Sequence, residues 1–301
     1  VSLTPIKIIV SAAAGRGDNT NVGDRLTEIF NPDHEIDVSL AQSGAEVVEL
    51  ARAAARGPYQ VIVAAGGDGT VNAVASTIVE SDKILGVLPL GTLNHFARDM
   101  KIPFDLEAAA QVIIAGHTTD VDVAEVNNRI FVNNSSLGLY PIIVREREKR
   151  ERLGSGRWPA FVWAVVQALR RYPFLDVRLR VDDELEDWTT PFVFIGNNEY
   201  ATQSFNIGLR ERLDRGVLSI YLTHRTSRLQ LITLALRAVF GRLRNDKDFR
   251  AFSSKNVEIQ SRHKRLRVAY DGEIDIMRPP LEYRVRTRAL RLIVPKQVEA
   301  E

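Results

Sequence analysis

No cysteine occurs in the 301 residues. Disulfides, thiolate metal sites and a cysteine nucleophile are thereby excluded. The five histidines, at 34, 95, 117, 224 and 263, show no ligand spacing, so a structural zinc site is not expected. Missing too is any run approaching the roughly 20 apolar residues that a membrane-spanning helix needs. The opening Val1-Ser2-Leu3-Thr4-Pro5 carries no charged region followed by an apolar one, and no secretory signal is expected there. These absences lead to the expectation of a cytoplasmic protein, able to touch the inner face of a membrane without crossing it. No repeat, low-complexity tract or long linker interrupts the chain.

What is present is a chain that can bury a core. Hydrophobic residues make up 45%, too many for a disordered polymer. The net charge of +2 conceals a division: residues 1–121 hold 8 Lys/Arg against 15 Asp/Glu, and residues 122–301 hold 32 against 23. A basic half of this kind suits contact with anionic lipid or nucleic acid, or is simply a solvated basic surface.

The first part alternates strand and helix patterns. Strands are expected at Lys7–Val10, Glu35–Leu40, Val61–Ala65 and Ile84–Leu88. Helices are expected at Asn21–Phe30, Ala45–Arg56, Val71–Ile78 and Leu93–Asp99. Continuous apolar runs such as Val61–Ala65 fit strands buried on both faces, and the alternation predicts a parallel sheet covered by helices. After about residue 121 the pattern changes. A hairpin is expected around Asn127-Asn128, followed by strands at Asp176–Val181, Pro191–Gly196, Val217–Thr223, Val257–Gln260, Leu266–Tyr270, Tyr283–Thr287 and Leu290–Val294. Short strands at this spacing predict an antiparallel β-sandwich, interrupted by helices at Arg157–Arg171 and Arg228–Arg244. The expected domains are 1–121, of α/β class, and 122–301, β-rich, with the last strand free to return to the first domain.

Two turns carry the chemistry. Gly66-Gly67-Asp68-Gly69-Thr70 follows a buried strand and precedes a helix. Glycines there let backbone N–H groups approach a phosphate, and the helix points its positive end at the same place. Thr70 can cap that helix or bond a phosphate oxygen. Asp68 suits a Mg²⁺ ion that neutralises the phosphates. A tight turn with no ligand could use the same glycines, but the strand–turn–helix context argues against it. The second turn, Gly91-Thr92-Leu93-Asn94, also follows a buried strand and opens a helix. Thr92 and Asn94 can add hydrogen bonds, and Arg98 can add charge.

These two turns, with Asn133–Gly138 and Asp271-Gly272-Glu273, resemble the diacylglycerol kinase catalytic-domain family, which includes bacterial lipid kinases and is related to sphingosine kinases. The resemblance covers nearly the whole chain. It implies an N-terminal nucleotide-binding domain, a C-terminal β-sandwich and catalysis in the cleft between them. It implies ATP and Mg²⁺ as cofactors, with Gly66, Gly67, Asp68, Gly69, Thr70, Asn72, Gly91, Thr92 and Asn94 at the nucleotide and Asp68 at the metal. Glu273 would be the general base for a lipid hydroxyl, with Asp68 and Asp271 assisting. By residue type alone, Asp271-Gly272-Glu273 is more simply a hairpin turn.

The chain departs from the family pattern at four places. Ser11-Ala12-Ala13-Ala14-Gly15 stands for Asn-Pro-x-x-Gly, Ala41 for a threonine, and His95 for an aspartate. Arg215, in Leu213-Asp214-Arg215-Gly216, replaces a ligand of a structural Mg²⁺, and that metal site is not expected here. The expected partners are a lipid acceptor and the surface of an anionic membrane, the latter reached through the arginine-flanked helices at 157–171 or 228–244. A homodimer is left open and nucleic acid is not expected. Two other readings stand beside the lipid kinase: a soluble-metabolite kinase of NAD kinase type, which shares the GGDGT turn, and a nucleotide-sensing protein without catalysis.

Overall fold

The computed structural model describes residues 5–12, 22–30, 34–139, 174–182, 184–200, 210, 212–223 and 249–296. The expected helices at 157–171 and 228–244, and all but the first two residues of the turn at 11–15, lie outside these. The chain divides into two compact units, one of residues 1–123 with 286–301 and one of residues 124–285.

The first unit is a parallel sheet with helices packed on it. Strands β1 (Ile6–Ser11), β2 (Ile36–Ala41), β3 (Val61–Gly66) and β4 (Ile84–Pro89) lie in the order β2-β1-β3-β4. β1 is parallel to both β2 and β3, and β3 is parallel to β4. In β1, β3 and β4 five of six residues in each strand are buried, which is why these strands read as continuous apolar runs. Helix α1 (Val22–Phe30) buries Leu26 and Phe30. Helix α2 (Gly44–Arg56) starts where Ser43 Oγ accepts the Glu46 N–H, and buries Val47, Ala51 and Ala54. Helix α3 (Asp68–Ile78) follows β3, and α4 (His95–Asp99) follows β4. A fifth helix, α5 (Leu106–Ala115), is capped by Asp105 and stopped by Gly116 in the left-handed region.

The second unit is a sandwich of antiparallel sheets. One sheet has β7 (Asn134–Gly138), β10 (Phe192–Asn197), β11 (Leu218–Thr223), β12 (Phe249–Ser254), β14 (Leu266–Tyr270) and β15 (Glu273–Met277), in the order β12-β11-β10-β7-β14-β15. The other pairs β8 (Leu175–Val181) with β9 (Glu184–Thr190) and with β13 (Asn256–Ser261), and β13 with the start of β16 (Leu281–Ile293). The end of β5 (Thr118–Val126) forms the expected hairpin with β6 (Arg129–Phe131) about Asn127-Asn128, both at positive φ. Between the sheets Leu137, Val193, Ile195, Ile220 and Val268 meet Val177, Leu179, Trp188, Ile259 and Tyr283. Each such aliphatic side chain contributes about 1.5–3 kcal/mol on burial.

The α/β-plus-sandwich fold expected from the sequence is the fold observed. Three local expectations change. Helix α3 begins at Asp68 instead of Val71, so the cap position falls on Gly67 and Thr70 lies inside the first turn. The expected strands at 283–287 and 290–294 are one strand, β16, with Arg288 at φ 51° between them. Its residues to Val285 belong to the second unit. Those from Arg286 onward belong to the first, where Arg291 and Leu292 pair with Ile84 and Leu85 of β4. Among the described residues no helix is long and apolar enough to cross a membrane.

Candidate active site

The glycine turn of the first unit is built from the ends of β3 and β4. These strands run in register to Gly66 and Pro89, and the Leu90 N–H donates to the Gly66 carbonyl at 3.0 Å. The chain then turns into α3, whose first bonds run from the Thr70 and Val71 N–H groups to the Gly67 carbonyl. Asp68 and Gly69 therefore hold first-turn N–H groups that the helix leaves without partners, at its positive end.

The four glycines separate by cause. A Cβ on Gly66 would fall 2.3 Å from Thr70 Oγ1, and one on Gly91 would fall 2.4 Å from the Gly67 Cα. Gly66 is demanded by the closeness of Thr70 within its own turn, and Gly91 by the packing of the second turn on the first. A Cβ on Gly67 would meet the Gly91 Cα at 3.4 Å, which is an ordinary contact. At Gly69 a Cβ would meet nothing within 4 Å, although glycine in a helix costs about 1 kcal/mol relative to alanine. Among the described residues, no packing contact requires a glycine at 69. An open backbone at a helix N-terminus is what a phosphate needs for close approach.

Asp68 braces the two turns. Its Oδ2 accepts the His95 N–H and its Oδ1 accepts the Phe96 N–H, both at 3.1 Å. The carboxylate of one turn thus caps the helix that follows the other. Asn94 sits at φ 48° and donates its side-chain N–H groups to the carbonyls of Pro89 and Gly91. The side-chain oxygens of Asn72 and Asn94 are buried without a hydrogen-bond partner among the described residues. Thr92 and the His95 side chain are exposed. Arg98 donates to the Leu93 carbonyl and lies over the Phe104 ring, 5.9 Å from its centroid. Ala41 is buried at the end of β2.

In the second unit Asp271 and Gly272 turn the β14–β15 hairpin, with φ of 45° and 91° as such a two-residue turn requires. The Asp271 carboxylate accepts N–H groups from Val132, Asn133 and Asn134, at 2.6, 2.9 and 3.0 Å. Burial pushes its pKa up to about 6, against the downward pull of those three bonds and of Arg210. Asp271 is a clamp on the segment entering β7. Glu273, two residues on, is exposed, and its carboxylate makes no hydrogen bond or ion pair among the described residues.

One residue here was not singled out from the sequence. Arg210 is 3% exposed, and its guanidinium donates to the Val132 and Asn197 carbonyls and to Asn133 Oδ1. It fixes from the other side the segment that Asp271 holds. An isolated arginine in a chain of 40 Lys/Arg gives no sequence signal of this. At the expected lost metal site, the Asp214 carboxylate is gripped by Arg212 in a fork of 2.8 and 2.7 Å. Arg215 reaches Glu199 Oε2 at 3.0 Å.

Two family models cover most of the chain. The diacylglycerol kinase catalytic domain matches residues 5–126. The YegS C-terminal NAD kinase beta sandwich-like domain matches residues 142–294. The chain belongs to the diacylglycerol kinase-like lipid kinases. Within this family, a diacylglycerol kinase of Staphylococcus epidermidis is 28% identical over 219 residues, covering 71% of this chain and 69% of that protein. The fold is like that of a crystal structure of a diacylglycerol kinase from Bacillus anthracis str. Sterne, with TM-score 0.72, 19% identity and 98% coverage of both chains. More distantly, the fold is like that of yeast NADH kinase complexed with NADH, with TM-score 0.56, 11% identity, and coverage of 98% of this chain and 84% of that one.

Proposed function

We propose that this protein transfers the γ-phosphoryl group of ATP to a hydroxyl of diacylglycerol or a similar lipid. The observation that carries the reading is the glycine pair of turns at the ends of β3 and β4, with Gly69 open and two helix-terminal N–H groups beside it. The residues present fit the phosphates of ATP: backbone donors, a positive helix end and no side chain in the way. They also fit Mg²⁺ carried in with the nucleotide, which usually takes one or two carboxylates plus phosphate oxygens and water. Asp68 would supply that carboxylate through lone pairs that its two amide bonds leave over. Bound there, the ion would neutralise charge on the phosphates.

The chain's own contributions then follow. Gly67, Asp68 and Gly69 hold the phosphates by backbone N–H groups, and Thr70, Asn72, Thr92 and Asn94 shape the same turns. Glu273 takes the proton of the acceptor hydroxyl as its oxygen bonds to the γ-phosphorus. The bond from that phosphorus to the bridging oxygen breaks, and ADP leaves with the electron pair. Asp271 positions Glu273 through the turn. The acceptor lipid is expected at the surface of an anionic membrane.

The test is labelled ATP and Mg²⁺ with a panel of lipids and NAD. Label in a lipid, with kcat lowered roughly 10²–10⁴-fold by Glu273→Gln at unchanged thermal stability, supports the reading. Full activity of that variant removes Glu273 as the base. Label in NAD alone favours the soluble-metabolite reading, for which the fold likeness to yeast NADH kinase speaks.

A further inference from the structure

At the end of the β14–β15 hairpin away from its turn, a hollow of about 520 Å³ is lined by Arg262, His263, Lys264, Arg265 and Arg278, with no carboxylate in its wall. Arg262 to Arg265 lie between β13 and β14, and Arg278 follows β15. The hairpin register pairs Leu266 with Met277 and Arg267 with Ile276. Leu266 and Met277 are buried, so Arg267 and Ile276 face outward, and Ile276 is 56% exposed. One residue beyond the end of each strand, Arg265 and Arg278 are both exposed and both line the hollow.

This arrangement raises the energy of the free hairpin. Like charges across a strand pair repel. None of Arg262, Lys264, Arg265, Arg267 and Arg278 makes an ion pair among the described residues. The neighbouring acids already have other cationic partners: Asp187, which Arg262 also feels at longer range, is held in a fork by Arg178 at 2.7 and 2.9 Å, and Asp275 faces Arg129 at 3.4 Å. An outer anion would relieve the repulsion.

We propose that this face is a docking surface for an anionic bilayer, with Arg265, Arg267 and Arg278 set on lipid phosphates and Ile276 entering the interface. Cations beside an exposed aliphatic residue suit the headgroup boundary. A nucleic acid is the poorer fit, because no Phe, Tyr or Trp side chain lines the hollow to stack a base, and only the small His263 ring is there. The choice of a bilayer rests on the lipid-kinase reading.

The test is co-sedimentation of the full chain with phosphatidylcholine vesicles containing rising fractions of phosphatidylglycerol, at low and high salt. Partitioning should rise with phosphatidylglycerol and fall with salt. Arg265→Gln with Arg278→Gln should weaken it about 25-fold, at roughly fivefold per basic residue near the surface. Ile276→Ser should weaken it less, and Arg52→Gln with Arg56→Gln, in α2, should leave it nearly unchanged. Phosphorylation of a short-chain, non-aggregated diacylglycerol, assayed in parallel, separates the two readings. No phosphorylation of any lipid with vesicle binding intact would sink the kinase reading alone. Equal partitioning of the Arg265/Arg278 variant, indifference to phosphatidylglycerol, or tighter binding to a DNA duplex than to vesicles would overturn the docking surface.

Discussion

Asp68 and Asp271 sit in different units, each beside a glycine in a motif that reads as catalytic, and both are anchored to backbone. Asp68 accepts two N–H groups at the start of α4, and Asp271 accepts three at the start of β7. They differ in their surroundings. Asp271 is deep enough for burial to raise its pKa, and it shares its segment with the buried Arg210. Asp68 is half-buried at the edge of an open turn. The lesson is that the carboxylate in the motif and the group left for chemistry need not coincide. Beside Asp271 the uncommitted group is Glu273, and beside Asp68 it is the bare backbone of Gly69.

The comparison breaks most sharply if Asp271 is removed. Asp271→Ala leaves three N–H groups without their acceptor and removes a carboxylate that Arg210 feels, and should cost about 3–5 kcal/mol in urea unfolding. A loss below about 1 kcal/mol would show that water replaces the clamp.

The pH dependence is next in size. The Asp271 carboxyl has a pKa of about 6 when folded and about 3.9 when unfolded, so between those values the folded state binds the extra proton. Its contribution to stability is full below about pH 4 and is lost as pH rises through about 6. Wild type should therefore lose on the order of 1–3 kcal/mol relative to Asp271→Asn between pH 4 and 7. The carboxyl should titrate near pH 6 by ¹³C NMR.

Asp68→Ala should cost less stability, about 0.5–2 kcal/mol, as the loss of a helix cap does. It should also weaken Mg-ATP binding, measured by calorimetry with and without Mg²⁺. Asp68→Asn, which keeps one acceptor oxygen, should recover part of the stability and little of the Mg²⁺ dependence.

Gly69→Ala should give the smallest change in stability and the opposite sign. A gain of about 0.5–1 kcal/mol is expected, because a methyl group there meets no atom of the described residues within 4 Å. ATP affinity should fall in the same variant. A gain in stability with unchanged ATP affinity would mean that the open backbone is not a phosphate seat.

Legibility in the sequence followed burial and local pattern. Strands β1, β3 and β4 were readable because nearly every side chain in them is apolar and buried. Strand β9, Glu-Leu-Glu-Asp-Trp-Thr-Thr, was not, because it runs along a sheet edge with its first four residues exposed. Helix α5 was also missed: its Leu-Glu-Ala-Ala-Ala-Gln-Val-Ile-Ile-Ala is apolar on most sides and carries little amphipathic signal. The sequence pattern puts the start of α3 three residues late, because Gly67 at the cap and Gly69 in the first turn are poor helix formers. At the site, the turns were legible as motifs. The brace from Asp68 to α4 was not, since 27 residues separate its partners. Nor was Arg210, whose three acceptors come from other strands and loops.

Strand β16 carries a consequence for how the protein is made. Its first residues complete the sandwich, and its last residues lie beside β4 in the unit where the chain begins. That unit therefore cannot close when its own first 123 residues leave the ribosome. The edge of β4 waits, unpaired, through the synthesis of the whole second unit, and the glycine turns at the ends of β3 and β4 stay on an unfinished sheet until then. A ribosome-stalled chain ending before Arg286 should be easily cut by protease in its first unit, and one extended past Val294 should resist.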